Sequence, residues 1–451
     1  MEVKGQAIPK SATTAPGMSI SSRNAAVFSA VSLLCFILYN YLYDVILFNY
    51  YYYLGFTKVP VDIDRIAIPI AIALAPFTLL TRNRIASFVL TLNILFILIP
   101  TGVCAWNGAV PLSVFHLTFA SSVVIAVVAS YPANMKIRPV PQASIDYSLW
   151  ILLAIFALIF IILFISGTQF LNFSLVEVYE FRDQARESLP VIFEYARSTA
   201  TASMLPVGVA LALRDKRIIL VAGYAVGAVF LFALSSHKAI LFSFLFLIIT
   251  FYSFRFRYNY MMIWAAGFVG FAVLFYIENA LMGRGILESN FVGDLLLRRT
   301  IFTPALLNGY YVDFFSGNPM YYWSNSKITL GFMQPPYSIG PSYVIGGFMF
   351  GDFTLSANTG IIGSGYANAG MIGVFAYSLM TGLILSYLNF CDNERSPAIM
   401  CTYFAMLFHT IFRDTDLITA FLNHGLLIFL VLVLLVSRHP YRPQRASEAP
   451  L

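Results

Sequence analysis

The stretch from Ser148 to Gly167, SLWILLAIFALIFIILFISG, carries no charged side chain over twenty residues. At 1.5 Å of rise per residue a helix of that length covers about 30 Å, the thickness of a bilayer's hydrocarbon core. A helix also satisfies its own backbone polar groups, which lipid cannot do. Working outward, runs of the same kind recur along the 451 residues, of which 59% are hydrophobic and 11% charged, with mean hydropathy +0.79. Soluble domains average about 25% charged residues. The pattern predicts an all-α polytopic membrane protein with about twelve spans: 25–48, 64–81, 85–105, 112–131, 148–167, 198–213, 218–234, 238–254, 259–277, 367–390, 396–412 and 417–437.

The polar residues ahead of the first run include Lys4, Lys10 and Arg23, so that run is expected to be a retained helix and not a cleaved leader. With the N-terminus placed in the cytoplasm, alternation puts 16 of the 27 basic residues in cytoplasmic segments, against six acidic ones. That asymmetry satisfies the positive-inside rule and predicts both termini in the cytoplasm. The net charge of +6 therefore reports orientation, and no nucleic-acid surface is expected. The cysteines Cys35, Cys104, Cys391 and Cys401 show neither a CxxC nor a ligand spacing, which argues against a metal site or disulfide framework. The chain reads as one integral membrane domain, 1–451.

Two connections exceed what a connector needs, 168–197 and 278–366, and both fall on the outer side. In the first, Ser174 with Glu177 forms a capping-box signature. Arg182 and Arg186 share a face of the helix that would follow, Asp183 and Glu187 lie on the neighbouring one, and Arg197 stands where the chain re-enters the membrane. In the second, Arg298 and Arg299 precede an aromatic block with Tyr310, Tyr311 and Trp323, while Pro304, Pro319, Pro335, Pro336 and Pro341 favour short pieces over one long helix. The bland readings are an interfacial amphipathic helix and an aromatic belt. The chemical reading is that guanidinium groups clamp pyrophosphate oxygens and stabilise charge on the leaving group, while aromatic rings stack on sugars. Arg413 closes the last outer hairpin. Asp62 with Asp64 and Asp414 with Asp416 give two D-x-D patterns, a weak cation signal. His409 and His424 sit in apolar spans and read first as hydrogen-bonded core residues.

Ahead of the tenth span runs SANTGIIGSGYANAGMIGVFAYS, Ser356 to Ser378. Gly365, Ala369 and Gly373 fall four apart there, a small-residue face expected to pack against a neighbouring helix, and Asn358 and Tyr366 stand on the outer side as candidate ligand contacts. With the two enlarged loops, this stretch resembles the O-antigen (Wzy-type) polymerases, in the wider group of oligosaccharide repeat-unit polymerases. Members of that family also tend to carry in each loop an Arg followed eleven residues later by a Gly; here Arg197 precedes Gly208 and Arg298 precedes Gly309.

What the resemblance implies is an inner-membrane glycosyltransferase of the GT-C kind, with its active site facing the periplasm. It would move a growing glycan from undecaprenyl pyrophosphate onto a fresh lipid-linked repeat unit. Arg182, Arg197, Arg298 and Arg299 would grip pyrophosphate with Arg413 in support, and Arg186 would join the substrate contacts. Glu180, Asp183 or Asp313 would serve as the base. Metal-independent catalysis is expected. The partners implied are undecaprenyl-pyrophosphate-linked oligosaccharides and membrane lipids, with a chain-length regulator and a flippase as further candidates. An O-antigen ligase would share these features, and a polysaccharide flippase is the alternative of another class, which would predict charges spread through the spans.

Overall fold

The computed structural model describes residues 22–131, 145–166, 171–173, 190–235, 237–255, 260–392 and 396–438. All regular structure among them is helical. In chain order the elements are α1 (Ser22–Leu54), α2 (Ala67–Leu79), α3 (Arg84–Asn107), α4 (Leu112–Ser130) and α5 (Tyr147–Ser166). Next come α6 (Val191–Thr199), a π-turn at Ala200–Met204, α7 (Leu205–Arg214), α8 (Ile218–Ser235), α9 (Ala239–Ser253) and α10 (Tyr260–Gly283). A π-helix at Gly293–Phe302 runs into α11 (Thr303–Gly317), followed by α12 (Pro341–Phe350) and α13 (Ile361–Cys391). Last are α14 (Pro397–His409), continued by a π-turn at Thr410–Asp414, α15 (Leu417–Asn423) and α16 (Leu426–Arg438). Six of the helices (α1, α3, α4, α5, α10 and α13) are long and apolar enough to cross a membrane, or up to seven spans if α15 and α16, bent by 64° at their break, count as one. The chain is thus a polytopic membrane protein, all-helical among the described residues.

Lipid is as apolar as leucine, so such helices cohere through close packing and hydrogen bonds. The central helix α3 is almost wholly enclosed by protein. Its Asn93 Oδ1 accepts from Ser122 on α4 at 2.8 Å, and Ser121 of α4 shares a hydrogen bond with Ser378 of α13 at 2.6 Å. Contacts between neighbours sort the two ends of the bundle. At one end Val59 N donates to Asn107 O (3.0 Å) and Tyr310 OH to Leu54 O (2.6 Å). At the other, Asn83 Nδ2 donates to Ala129 O (3.0 Å) and Ser386 Oγ to Tyr131 O (2.8 Å). The long connection after α10 leaves from the first, called here the long-loop end.

Two segments differ from expectation. Gly293–Gly317 is one unbroken helical run although Pro304 lies within it, and it packs against α13, α3 and α4 inside the bundle. Pro304 stands at the junction where the π-helix passes into α11. The second segment is α13, which is not one rod. Ala369 (φ −154°, ψ 34°) and Gly370 (φ 58°, ψ −142°) break it. A Cβ on Gly373 would lie 2.0 Å from Gly365 O. Eight residues of straight helix would separate those positions by about 12 Å, so the first two turns fold back on the remainder. The small residues expected to meet a neighbouring helix meet each other across this fold.

Candidate active site

The folded-back arm Ile361–Asn368 ends inside the protein, where its last carbonyls need donors. Tyr321 N supplies Ala367 O (2.9 Å) and Tyr322 N supplies Asn368 O (2.8 Å), while Trp323 N donates to Asn368 Oδ1 (3.1 Å). Tyr322 and Trp323 hold φ of 47° and 61°, which side chains resist, so this junction stores backbone strain. A polar chain continues from it: Trp323 Nε1 donates to Tyr377 OH (2.8 Å), and Tyr377 OH to Asp416 Oδ2 (2.5 Å). Asn368 Nδ2 reaches the same carboxylate oxygen at 3.2 Å, and Asp416 Oδ1 caps α15 at Thr419 N (3.0 Å). The fold-back is thereby tied to the last hairpin.

The arm's other end is set by two close approaches. Asn308 Oδ1 accepts from Thr359 Oγ1 (2.8 Å) and Gly363 N (3.0 Å). Gly360 lies so near the chain at Phe412 and Arg413 that a Cβ there would sit 2.2 Å from Phe412 C and O. The arm therefore rests on the π-turn that ends α14. That turn brings His409 and Asp414, five residues apart, within 2.8 Å of each other through Nδ1 and Oδ2. Arg413 is 7% exposed, and its Nε has no hydrogen-bond partner among the described residues. Burial pushes its guanidinium down from the ordinary value, and Asp414 opposes that. Burial alone would raise the Asp414 carboxyl, but His409 and then Arg413 and His424 pull it down to about 2. Asp414 keeps 45% of its side chain accessible.

Arg197 reaches the same neighbourhood from α6. It is 9% exposed and ion-paired with Glu194, which offsets the burial that lowers its guanidinium. Glu194 and Asp414 both act electrostatically on His424, at the break between α15 and α16. Ser203 Oγ, in the α6–α7 π-turn, donates to Gly425 O at that break (2.7 Å). Lys327 of the long connection donates to Tyr195 OH (2.7 Å) and stacks over its ring, closing one side.

Arg298 and Arg299 form a second cluster. Arg298 binds Asp294 through Nε and a terminal nitrogen (both 2.5 Å) and covers the Tyr51 ring at 5.0 Å, and Arg299 Nε lies 3.2 Å from Asp294. The arginines expected in one clamp thus stand in two groups, carried by different helices. Tyr310 is half-buried against α1, and Tyr311 is 2% exposed with its hydroxyl on Ala357 O (2.9 Å), which leaves no ring face for a sugar. Asp313 and Asn358 are exposed, Asn358 accepting from Ser356 at 3.0 Å, while Trp323 and Tyr366 are half-buried. Glu180, Arg182, Asp183 and Arg186 lie outside the described residues. Asp62 is spent on Arg65 as cap and ion pair, and among the described residues no three His, Cys, Asp or Glu side chains gather to hold a metal.

Sequence reasoning missed the His409–Asp414 pair and the Asn308 clamp. An i, i+5 pair is not a helical neighbour, so only a π-turn makes it one. In both Arg-x10-Gly spacings the glycine has a packing role: a Cβ on Gly208 would lie 2.1 Å from Tyr224 OH, and one on Gly309 2.4 Å from Val110. Compared with known proteins, the chain matches no family model, no curated protein and no solved structure.

Proposed function

We propose that the protein is a polymerase of lipid-linked oligosaccharide repeat units, a membrane-embedded glycosyltransferase of the GT-C kind. It transfers the growing glycan from undecaprenyl pyrophosphate to a new repeat unit on the same carrier. In this reading the chain crosses the bacterial inner membrane twelve times with both termini in the cytoplasm, and the long-loop end faces the periplasm. The observation that carries it is Arg413, a buried guanidinium whose Nε has no acceptor among the described residues. Leaving a buried donor unpaired costs about 1–3 kcal/mol, and more for a charged group. A pyrophosphate oxygen entering beside Arg413 satisfies that donor and is stabilised as charge builds on it. Arg197 lies in the same neighbourhood, and the exposed Arg299 offers a second anion contact at the end of α1.

The test is elongation in vitro. Purified full-length protein in vesicles, given lipid-linked repeat units, is expected to yield a ladder of product lengths on a gel. Transfer to a different acceptor without a ladder would make it a ligase. Movement of the lipid-linked glycan across the bilayer with no new glycosidic bond would remove both enzymatic readings.

A further inference from the structure

We infer that His409 is the general base of the transfer, with Asp414 as its positioning residue; the inference rests on the glycosyl-transfer reading above. The geometry is that of an oriented imidazole. Nδ1 faces Asp414 Oδ2 at 2.8 Å, so the neutral ring carries its proton on Nδ1 and its lone pair on Nε2. Nε2 has no partner among the described residues, and 36% of the side chain is accessible. Arg413, four residues on and within the same π-turn, offers the unpaired Nε. An anion bound there sets the breaking bond beside the imidazole. Of the carboxylates that residue type suggested as bases, Asp313 is exposed on α11, and Glu180 and Asp183 lie outside the described residues.

The step balances within these groups. The acceptor hydroxyl oxygen bonds to the anomeric carbon, and its proton passes to His409 Nε2. The anomeric carbon–oxygen bond breaks, and its electron pair leaves on the pyrophosphate oxygen beside Arg413. The imidazolium that forms lies against the Asp414 carboxylate until water takes the proton. The other charged or titratable groups acting on Asp414 are Arg413 and His424, and Glu194, paired with Arg197, acts in turn on His424.

The experiment is a pH–rate profile from pH 5 to 8 on full-length protein in vesicles with lipid-linked repeat units. Wild-type protein should lose rate toward the acid side as the base is protonated. His409→Gln should lower kcat by about 10²–10⁴-fold with KM little changed, and flatten that acid limb. Asp414→Asn should lower kcat with KM little changed, and Asp414→Glu should restore part of the loss; a merely structural partner would not give that split. If His409→Gln cannot be purified folded, the Asp414 variants decide. A His409→Gln protein that elongates at the wild-type rate, or an unchanged kcat in Asp414→Asn, overturns the inference and leaves the polymerase reading standing. Wild-type protein that elongates nothing removes that reading, and the inference with it.

Discussion

Arg298 and Arg413 are the same residue type under opposite conditions. The Arg298 fork is already taken by Asp294 and lies over Tyr51, whereas Arg413 is buried with a donor to spare. Lysine keeps a charge but not the planar fork, so Arg413→Lys is expected to cost about 100-fold in turnover, the scale seen for a removed transition-state donor. Arg298→Lys should cost less, and equal losses in the elongation assay would contradict the assignment. Asp414 carries a linkage of definite sign. Its carboxyl is depressed from 3.8 to about 2, so its stabilising contribution is complete above about 4 and lost as pH falls through 2. Unfolding followed in detergent from pH 6 to 2 should show that loss in wild-type protein and a weaker one in Asp414→Asn. Arginines, carboxylates and histidines are visible in a sequence; whether a given guanidinium has an acceptor is not, because that depends on what buries it.

At the scale of elements, the fold-back of α13 depends on one backbone position. Gly370 has φ 58° and ψ −142°, a region that a Cβ disfavours, and a Cβ would also meet Met320 at 3.1 Å. Gly370→Ala is expected to destabilise the protein by about 1–3 kcal/mol, measured by thermal unfolding in detergent. An unchanged midpoint would mean that the arm re-forms without the fold. The glycine-rich composition of this stretch was legible and its close packing foreseeable, but its partner was not, since spacing by four fits a straight helix and a folded one alike. The π-turns were equally hidden. Each adds a residue to a helix and turns everything beyond it by about 100°. Such turns lie after Arg197, around Arg298 and around Arg413. In the first two cases the turn falls between or at the Arg and the Gly of the eleven-residue spacing, so that spacing does not place both on one face.

For the whole molecule, apolar runs announced a polytopic helical protein because lipid imposes length and composition on any span. They did not announce α11, whose Asn308, Tyr310 and Tyr311 look like loop residues until hydrogen bonds to Thr359, Leu54 and Ala357 absorb them. Orientation is open to direct measurement. The described cysteines are all buried, so a background-free label is available. Ser316→Cys at the long-loop end should react with an impermeant maleimide in intact spheroplasts, and Arg82→Cys at the opposite end only after permeabilisation; the reverse pattern would invert the topology. One further property follows from α9. It has 15 residues, about 22 Å of helix, yet Phe242, Leu245 and Ile249 point outward at 55%, 56% and 42% exposure. If α9 crosses the bilayer, as the twelve-span reading has it, hydrocarbon about 30 Å deep exceeds that height, and lipid alongside it would compress or the helix would sink, at a fraction of a kcal/mol per Å. Because α9 packs on α14, this short outward-facing apolar surface borders the helix that runs into the turn of His409 and Arg413, and in the proposed reading a lipid-linked substrate arriving there would meet a locally thinner bilayer.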